Sequence, residues 1–184
     1  MGKLSAFEFI SLNGFFEGAK GDISWHMHGS EENQFSAESL KSGSTLLFGR
    51  ITYQMMASYW PTPAAMKNDP TVARGMNNAE KIVFSRTLKI VDWKNTHLIT
   101  KNITEEIRRM KNTAGKNMTI LGSGSIIKHF AEAKLIDEFQ IMIDPVILAS
   151  GRPLFDGLKH TVNLKLMNTK VLKSGVVLLS YRPV

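Results

Sequence analysis

What most constrains the fold of this chain is a change of rhythm along it. Up to Asp144, short apolar runs alternate with segments of helical period; from Pro145 to Val184 only strand and turn signals remain. The runs Thr45–Phe48, Lys81–Phe84, His97–Ile99 and Met118–Leu121 have the length and composition of buried strands. Helical spacing marks Glu31–Ser42, Arg50–Tyr59, a segment with Ile103, Ile107, Met110 and Ala114 inward, and another with Ile126, Ile127, Phe130 and Ala131 inward. The opening stretch, Lys3 to Phe16, reads as a strand running into the turn signal Asn13-Gly14. Asp137–Asp144 alternates as a half-exposed strand does. Trp60–Asn78, with Pro61, Pro63 and Pro70, reads as loop, and the tail ends in a hairpin, Leu164–Leu172 with Val176–Tyr181. Alternation of this kind predicts a mostly parallel sheet covered by helices, with the hairpin as an antiparallel edge. No repeat and no linker divides the 184 residues, so the expectation is a single α/β domain over 1–184.

Three predicted strand ends carry anion chemistry. Thr45–Phe48 enters its helix through Gly49-Arg50-Ile51-Thr52, and Met118–Leu121 through Gly122-Ser123-Gly124-Ser125. At such turns the free N–H groups and the positive end of the helix dipole face outward from the sheet edge. Glycine admits an anion to the backbone, the hydroxyls donate, and Arg50 pairs with phosphate. Ser85-Arg86-Thr87, closing the strand Lys81–Phe84, adds a guanidinium and two hydroxyls suited to a ribose phosphate. Ordinary caps and turns use the same residues, but all three fall at carboxyl ends of predicted strands, where open α/β sheets bind ligands.

Other classes are disfavoured. Gly122-x-Gly124 lacks the third glycine of a dinucleotide fingerprint, and Gly-Lys-Ser/Thr and Gly-x-Ser-x-Gly do not occur. Cysteine is absent, which removes thiol catalysis and thiolate zinc sites and makes the cytosol the default compartment. No window reaches the ~18 apolar residues of a spanning helix. His26 and His28 have no third ligand near in sequence, so they read as a loop pair beside a substrate cleft rather than a metal site. Net charge is +7, divided unevenly: three basic against six acidic residues up to Phe48, then 20 against 10 from Gly49 onward. That excess suits an anionic cofactor; without a longer basic run than Arg108-Arg109 or an aromatic-interleaved stripe, nucleic acid is not expected.

Five segments in order resemble the dihydrofolate reductase-like family, which includes the C-terminal reductase domain of the bifunctional riboflavin-biosynthesis deaminase/reductase, to which the chain is similar. They are Ser11-Leu12-Asn13-Gly14, Leu47-Phe48-Gly49-Arg50-Ile51-Thr52-Tyr53, Val83-Phe84-Ser85-Arg86, Leu121-Gly122-Ser123-Gly124-Ser125, and Leu135-Ile136-Asp137-Glu138 through Asp144-Pro145-Val146 to Gly151 and Leu154-Phe155. The resemblance implies an eight-stranded mixed sheet with NADPH along its carboxyl edge. Gly49, Arg50, Thr52, Ser85 and Arg86 would meet the cofactor phosphates and adenosine ribose. Gly122, Ser123, Gly124, Ser125 and Ile126 would hold the pyrophosphate and nicotinamide side. Asn13, Gly14 and Trp25 would line the loop over nicotinamide and substrate.

Where the family has an acid, this chain has Asn13, and counting from Trp25 to the carboxylate of folate reductases reaches Ser30, beside Glu31. Glu31 is accordingly the expected proton donor. Ser123 replaces the second glycine of a pair that is often cis in folate reductases, so a trans peptide is expected here. The activity implied is NADPH-dependent reduction of a small heterocycle, at family level 5-amino-6-(5-phosphoribosylamino)uracil. Its competitors are an NADP-binding protein without turnover and a reductase of pteridine-like substrates. The expected partners are a small-molecule substrate and a second copy paired along the C-terminal strands, with no membrane and no nucleic acid.

Overall fold

Strand β1 (Leu4–Ser11) is the second central strand of the sheet, and its position explains its composition. It pairs in parallel with β6 (Met118–Ile120) on one side and β7 (Glu138–Asp144) on the other, so both of its edges are satisfied, and its two faces pack into separate apolar clusters, Leu4 and Ala6 in one and Phe7 and Phe9 against another. The computed structural model describes residues 1–113 and 115–184; Ala114, expected on the inward helical face, lies outside the described residues. The remaining strands are β2 (Phe15–Gly18), β3 (Thr45–Gly49), β4 (Lys81–Phe84), β5 (Thr96–Ile99), β8 (Gly151–Pro153), β9 (Leu164–Val171) and β10 (Val177–Pro183). Eight strands form one sheet in the order β5-β4-β3-β6-β1-β7-β10-β9, and β2 pairs with β8 in a small antiparallel sheet beside it. Only β10 runs against its neighbours in the large sheet, antiparallel to both β7 and β9. This is the expected mostly parallel mixed sheet with an antiparallel C-terminal edge.

Helices α1 (Ser30–Lys41), α2 (Arg50–Tyr59), α3 (Pro63–Asn68) and α4 (Pro70–Asn78) precede β4; α5 (Ile103–Thr113) and α6 (Gly124–Glu132) follow β5 and β6. On one face Leu4, Ala6, Leu47, Ile82 and Ile120 pack with Ile107 of α5 and Ile127 and Phe130 of α6. On the other, Leu46, Phe48 and Val83 pack with Tyr53, Val72, Met76 and Trp93. Strands β3 and β4 are buried throughout, as their uninterrupted apolar runs require.

The loop expected over Trp60–Asn78 is instead two short helices. Pro63 and Pro70 each occupy the first helical turn, where the missing N–H costs nothing, and the residues before them cap: Thr62 Oγ1 accepts from Ala65 N at 3.2 Å and Asp69 Oδ1 from Val72 N at 3.0 Å. The α4 end is closed by Lys81, whose buried ammonium donates to the Met76 and Ala79 carbonyls at 2.9 and 2.7 Å. Strand β7 is not half-exposed: Met142 and Asp144, on the face that the alternation turns to solvent, are buried, because Leu172, Val176 and Leu178 of the hairpin and Phe7, Phe9 and Phe35 cover that face.

Candidate functional site

Strands β4, β3 and β6 are neighbours, so the three anion-friendly ends lie side by side along one edge. The β3 and β6 ends are in direct contact. Gly49 N–H donates to the Gly122 carbonyl at 3.1 Å, and a Cβ on Gly49 would meet Ser123 Oγ at 2.6 Å and Ile126 Cγ1 at 3.2 Å. A side chain at 49 would have to push the Ser123 hydroxyl and Ile126 aside, so glycine lets the two turns close on one another. Helices α2 and α6 start from this contact, after Gly49 and Ser123, and neither start has a side-chain cap. Two sets of first-turn N–H groups are thus left for a ligand. Ser123 and Ser125 share a hydrogen bond at 2.9 Å, Arg50 is exposed and reaches only its own helix at Gln54 Oε1, and Arg86 is exposed beside Ser85, whose Oγ accepts from Thr87 N and Leu88 N. Gly122 has φ +91°, and the Gly122–Ser123 peptide is cis, where a trans bond was expected from Ser123. Gly124 backs onto Phe16 and Leu154, which hold the start of α6 from behind.

Glu8 was not foreseen. It lies on β1 facing Gly122, 7% exposed; a Cβ on Gly122 would stand 3.2 Å from both Glu8 Oε2 and Thr52 Oγ1. Burial pushes its carboxyl up to about 8, with the nearby Glu17 charge adding to the rise and the Phe9 amide opposing it. Glu8 is consequently a neutral acid beside the Gly122 turn near pH 7, where it would not repel an anion.

The opposite side of β1 carries the other expected residues. Gly14 turns the chain at φ +87°, and its carbonyl accepts from Leu154 N at 3.0 Å. Asn13 clamps the following loop in both directions: Nδ2 donates to the Leu148 carbonyl at 2.8 Å, and Oδ1 accepts from Leu148 N at 3.1 Å and Ser11 Oγ at 2.8 Å. An aspartate could not donate to Leu148. Trp25 donates to the Asp22 carbonyl at 2.9 Å and packs edge-on against Phe9. Glu31 is drawn elsewhere. It accepts from Lys173 N at 2.6 Å, while the buried Glu32 accepts from Ser174 Oγ, so this acid pair fastens the β9–β10 turn to the first turn of α1. His26 is buried and bonded to Asp144, the last residue of β7, which the sequence placed on an exposed face.

Residues 3–178 match the sequence model of the family described as RibD C-terminal domain. The chain belongs to that family. A family relative, the uncharacterized protein YyaP of Bacillus subtilis (strain 168), is 33% identical over 94% of this chain and 90% of its own. Among solved structures, a Shewanella sp. PV-4 protein attributed to riboflavin biosynthesis superposes with a TM-score of 0.77 at 20% identity, covering 99% of both chains. Dihydrofolate reductase from Enterococcus faecalis complexed with NADP(H) gives 0.66 at 17% identity, over 98% of this chain and 96% of that one. The Thermotoga maritima diaminohydroxyphosphoribosylaminopyrimidine deaminase/5-amino-6-(5-phosphoribosylamino)uracil reductase gives 0.69 at 14% identity, covering all of this chain and 57% of the larger protein. At these identities the structures establish the dihydrofolate reductase-like fold of this RibD C-terminal domain member.

Proposed function

We propose that this RibD-family protein is an NADPH-dependent reductase of a small heterocycle, with 5-amino-6-(5-phosphoribosylamino)uracil as the family-level substrate. One observation carries the reading: the ends of β4, β3 and β6 lie side by side, with two helix N-termini that lack side-chain caps meeting at Gly49 and Ser123. The donor set fits a dinucleotide. Gly49, Arg50, Thr52 and the Gly122–Ile126 turn would hold its pyrophosphate, and Ser85 and Arg86 its 2′-phosphate. When bound, the reduced nicotinamide would supply hydride; the chain's own part is placement, exclusion of water by the Gly14–Gly29 loop, and delivery of a proton.

The reading of an NADP-binding protein without turnover rests on Asn13 standing where the family has an acid. The two-way clamp on Leu148 gives Asn13 a positioning role, so its identity no longer argues against catalysis. A fluorescence titration with NADPH, and NADH as control, tests the proposal. Micromolar NADPH binding is expected, with Arg86→Ala weakening NADPH at least tenfold more than NADH. Binding of neither nucleotide refutes the reductase, while binding without turnover of any pteridine or ribosylaminopyrimidine favours the non-catalytic protein.

A further inference from the structure

Resting on the reductase reading, we propose that the Asp144–His26 dyad is the proton-transfer device of this site, with His26 Nε2 on the substrate. Asp144 closes β7 opposite Ser11 of β1, at the same sheet edge as the nucleotide cradle, with β1 alone lying between β7 and β6. Its carboxylate is fully buried and takes two donors, His26 Nδ1 at 2.8 Å and Met27 N at 2.8 Å. The His26 ring lies flat on Phe9, with centroids 3.8 Å apart and planes 4° from parallel. Phe9 follows Glu8, the residue facing Gly122, so the cradle and the dyad are on the two faces of consecutive β1 residues.

This arrangement fixes the imidazole in orientation and in tautomer. With Nδ1–H held by Asp144, the nitrogen left for chemistry is Nε2. Among the described residues Nε2 has no hydrogen-bond partner, and the fully buried side-chain polar atom without one is Thr96 Oγ1, so Nε2 keeps a small accessible surface on a ring that is otherwise buried. An oriented, otherwise buried imidazole with one reachable nitrogen is poised for acid–base work. The titratable groups against it are Asp144 from β7 and His28, edge-on at 4.8 Å; Glu32 from α1, itself tied to Ser174, acts on His28. Burial and the neighbouring His26 hold the His28 imidazole below its ordinary value, so His28 adds little positive charge against a protonated His26. Phe7 and Phe35, 5.4 Å apart on the same face, supply an apolar wall for a planar ring.

In the step itself the carbon of a C=N or C=O bond accepts hydride from a reduced nicotinamide, whose C–H bond breaks. The π pair moves to the heteroatom, which takes the proton from His26 Nε2. The imidazole is left neutral and regains its proton from water. Substrate, reduced nicotinamide and one proton become the dihydro product and oxidised nicotinamide.

The test uses full-length protein labelled with 15N-histidine and two variants. Asp144→Asn keeps the shape but removes the charge that fixes the tautomer; His26→Gln keeps a polar side chain of similar reach. In the wild type, long-range 15N correlation is expected to show Nδ1–H on His26. Adding oxidised NADP and 5-amino-6-(5-phosphoribosylamino)uracil is expected to move the Nε2 resonance. Both variants should bind NADP within about twofold of wild type and reduce the substrate at least 100-fold more slowly, and Asp144→Asn should also lose the tautomer signature. An unmoved Nε2 resonance in protein that binds NADP, or variants that turn over as wild type, overturns the dyad and leaves the reductase standing. Absence of NADP binding removes both together.

Discussion

Replacing Glu8 by glutamine isolates the cost of keeping a buried carboxyl group beside Gly122. In the unfolded chain this group loses its proton near 4.5; in the folded protein it does so at about 8. Between those values the native state holds a proton that the unfolded chain has released, so stability falls as pH rises through this window and is level above it. Each tenfold difference in proton affinity is worth about 1.4 kcal/mol, so the whole effect is on the order of 5 kcal/mol. Glutamine keeps the shape and the acceptor for the Phe9 amide but cannot ionise. Urea unfolding of both proteins from about pH 4.5 to 9 reads the difference directly, because every other titrating group is shared. The variant should match wild type within ~1 kcal/mol at the acid end and exceed it by several kcal/mol, up to ~5, at the alkaline end. Parallel curves across the range would refute the reasoning. The same charge should repel phosphate once formed, so NADPH affinity should weaken above about pH 8 in the wild type and not in Glu8→Gln.

Two further outcomes follow from the geometry. Asn13→Asp should cost ~1 kcal/mol and speed amide exchange around Leu148, because a carboxylate facing the Leu148 carbonyl has no proton to donate; unchanged exchange would remove the clamp from the account. Strand β9 is exposed along its whole length, with Leu164, Leu166, Met167 and Val171 on a free sheet edge. We propose that a second copy pairs there, so the wild type should sediment as a dimer and Leu166→Lys as a monomer; a monomeric wild type refutes the pairing.

The cradle was legible because its needs are local. A strand end that must release a helix and admit an anion calls for glycine, hydroxyls and arginine in consecutive positions, and Gly49-Arg50 and Gly122–Ser125 display them. Pro63 and Pro70 carry a local signal too, since Thr-Pro and Asp-Pro followed by helix formers mark helix starts; only when taken as breakers do they predict a loop. Glu8 and Asp144 were hidden for a different reason. Acids at alternate positions of Phe-Glu-Phe or Met-Ile-Asp mark a polar face, and period-two alternation cannot say whether that face meets water or another layer of protein. The answer depends on β1 being central and on the hairpin lying over β7, neither of which a single strand reveals. The dyad joins positions 118 residues apart, and its signal in sequence was only the histidine pair. Glu31 was placed by counting from Trp25, and its link to Lys173 had no local signature.

The central place of β1 also bears on how the protein is made. Its partners are Met118–Ile120 and Glu138–Asp144, so its first sheet contacts span more than a hundred residues of chain. On a ribosome, Leu4 to Ser11 would emerge early and wait, apolar and unpaired, until the far side of the molecule had been synthesised. Contacts of such range make folding slow and leave a strand open to wrong partners meanwhile. Glu8, charged while the strand is still in water and neutral once it is buried, is then a temporary guard: a negative charge within an apolar segment discourages aggregation, and it is surrendered only when the correct neighbours close around it.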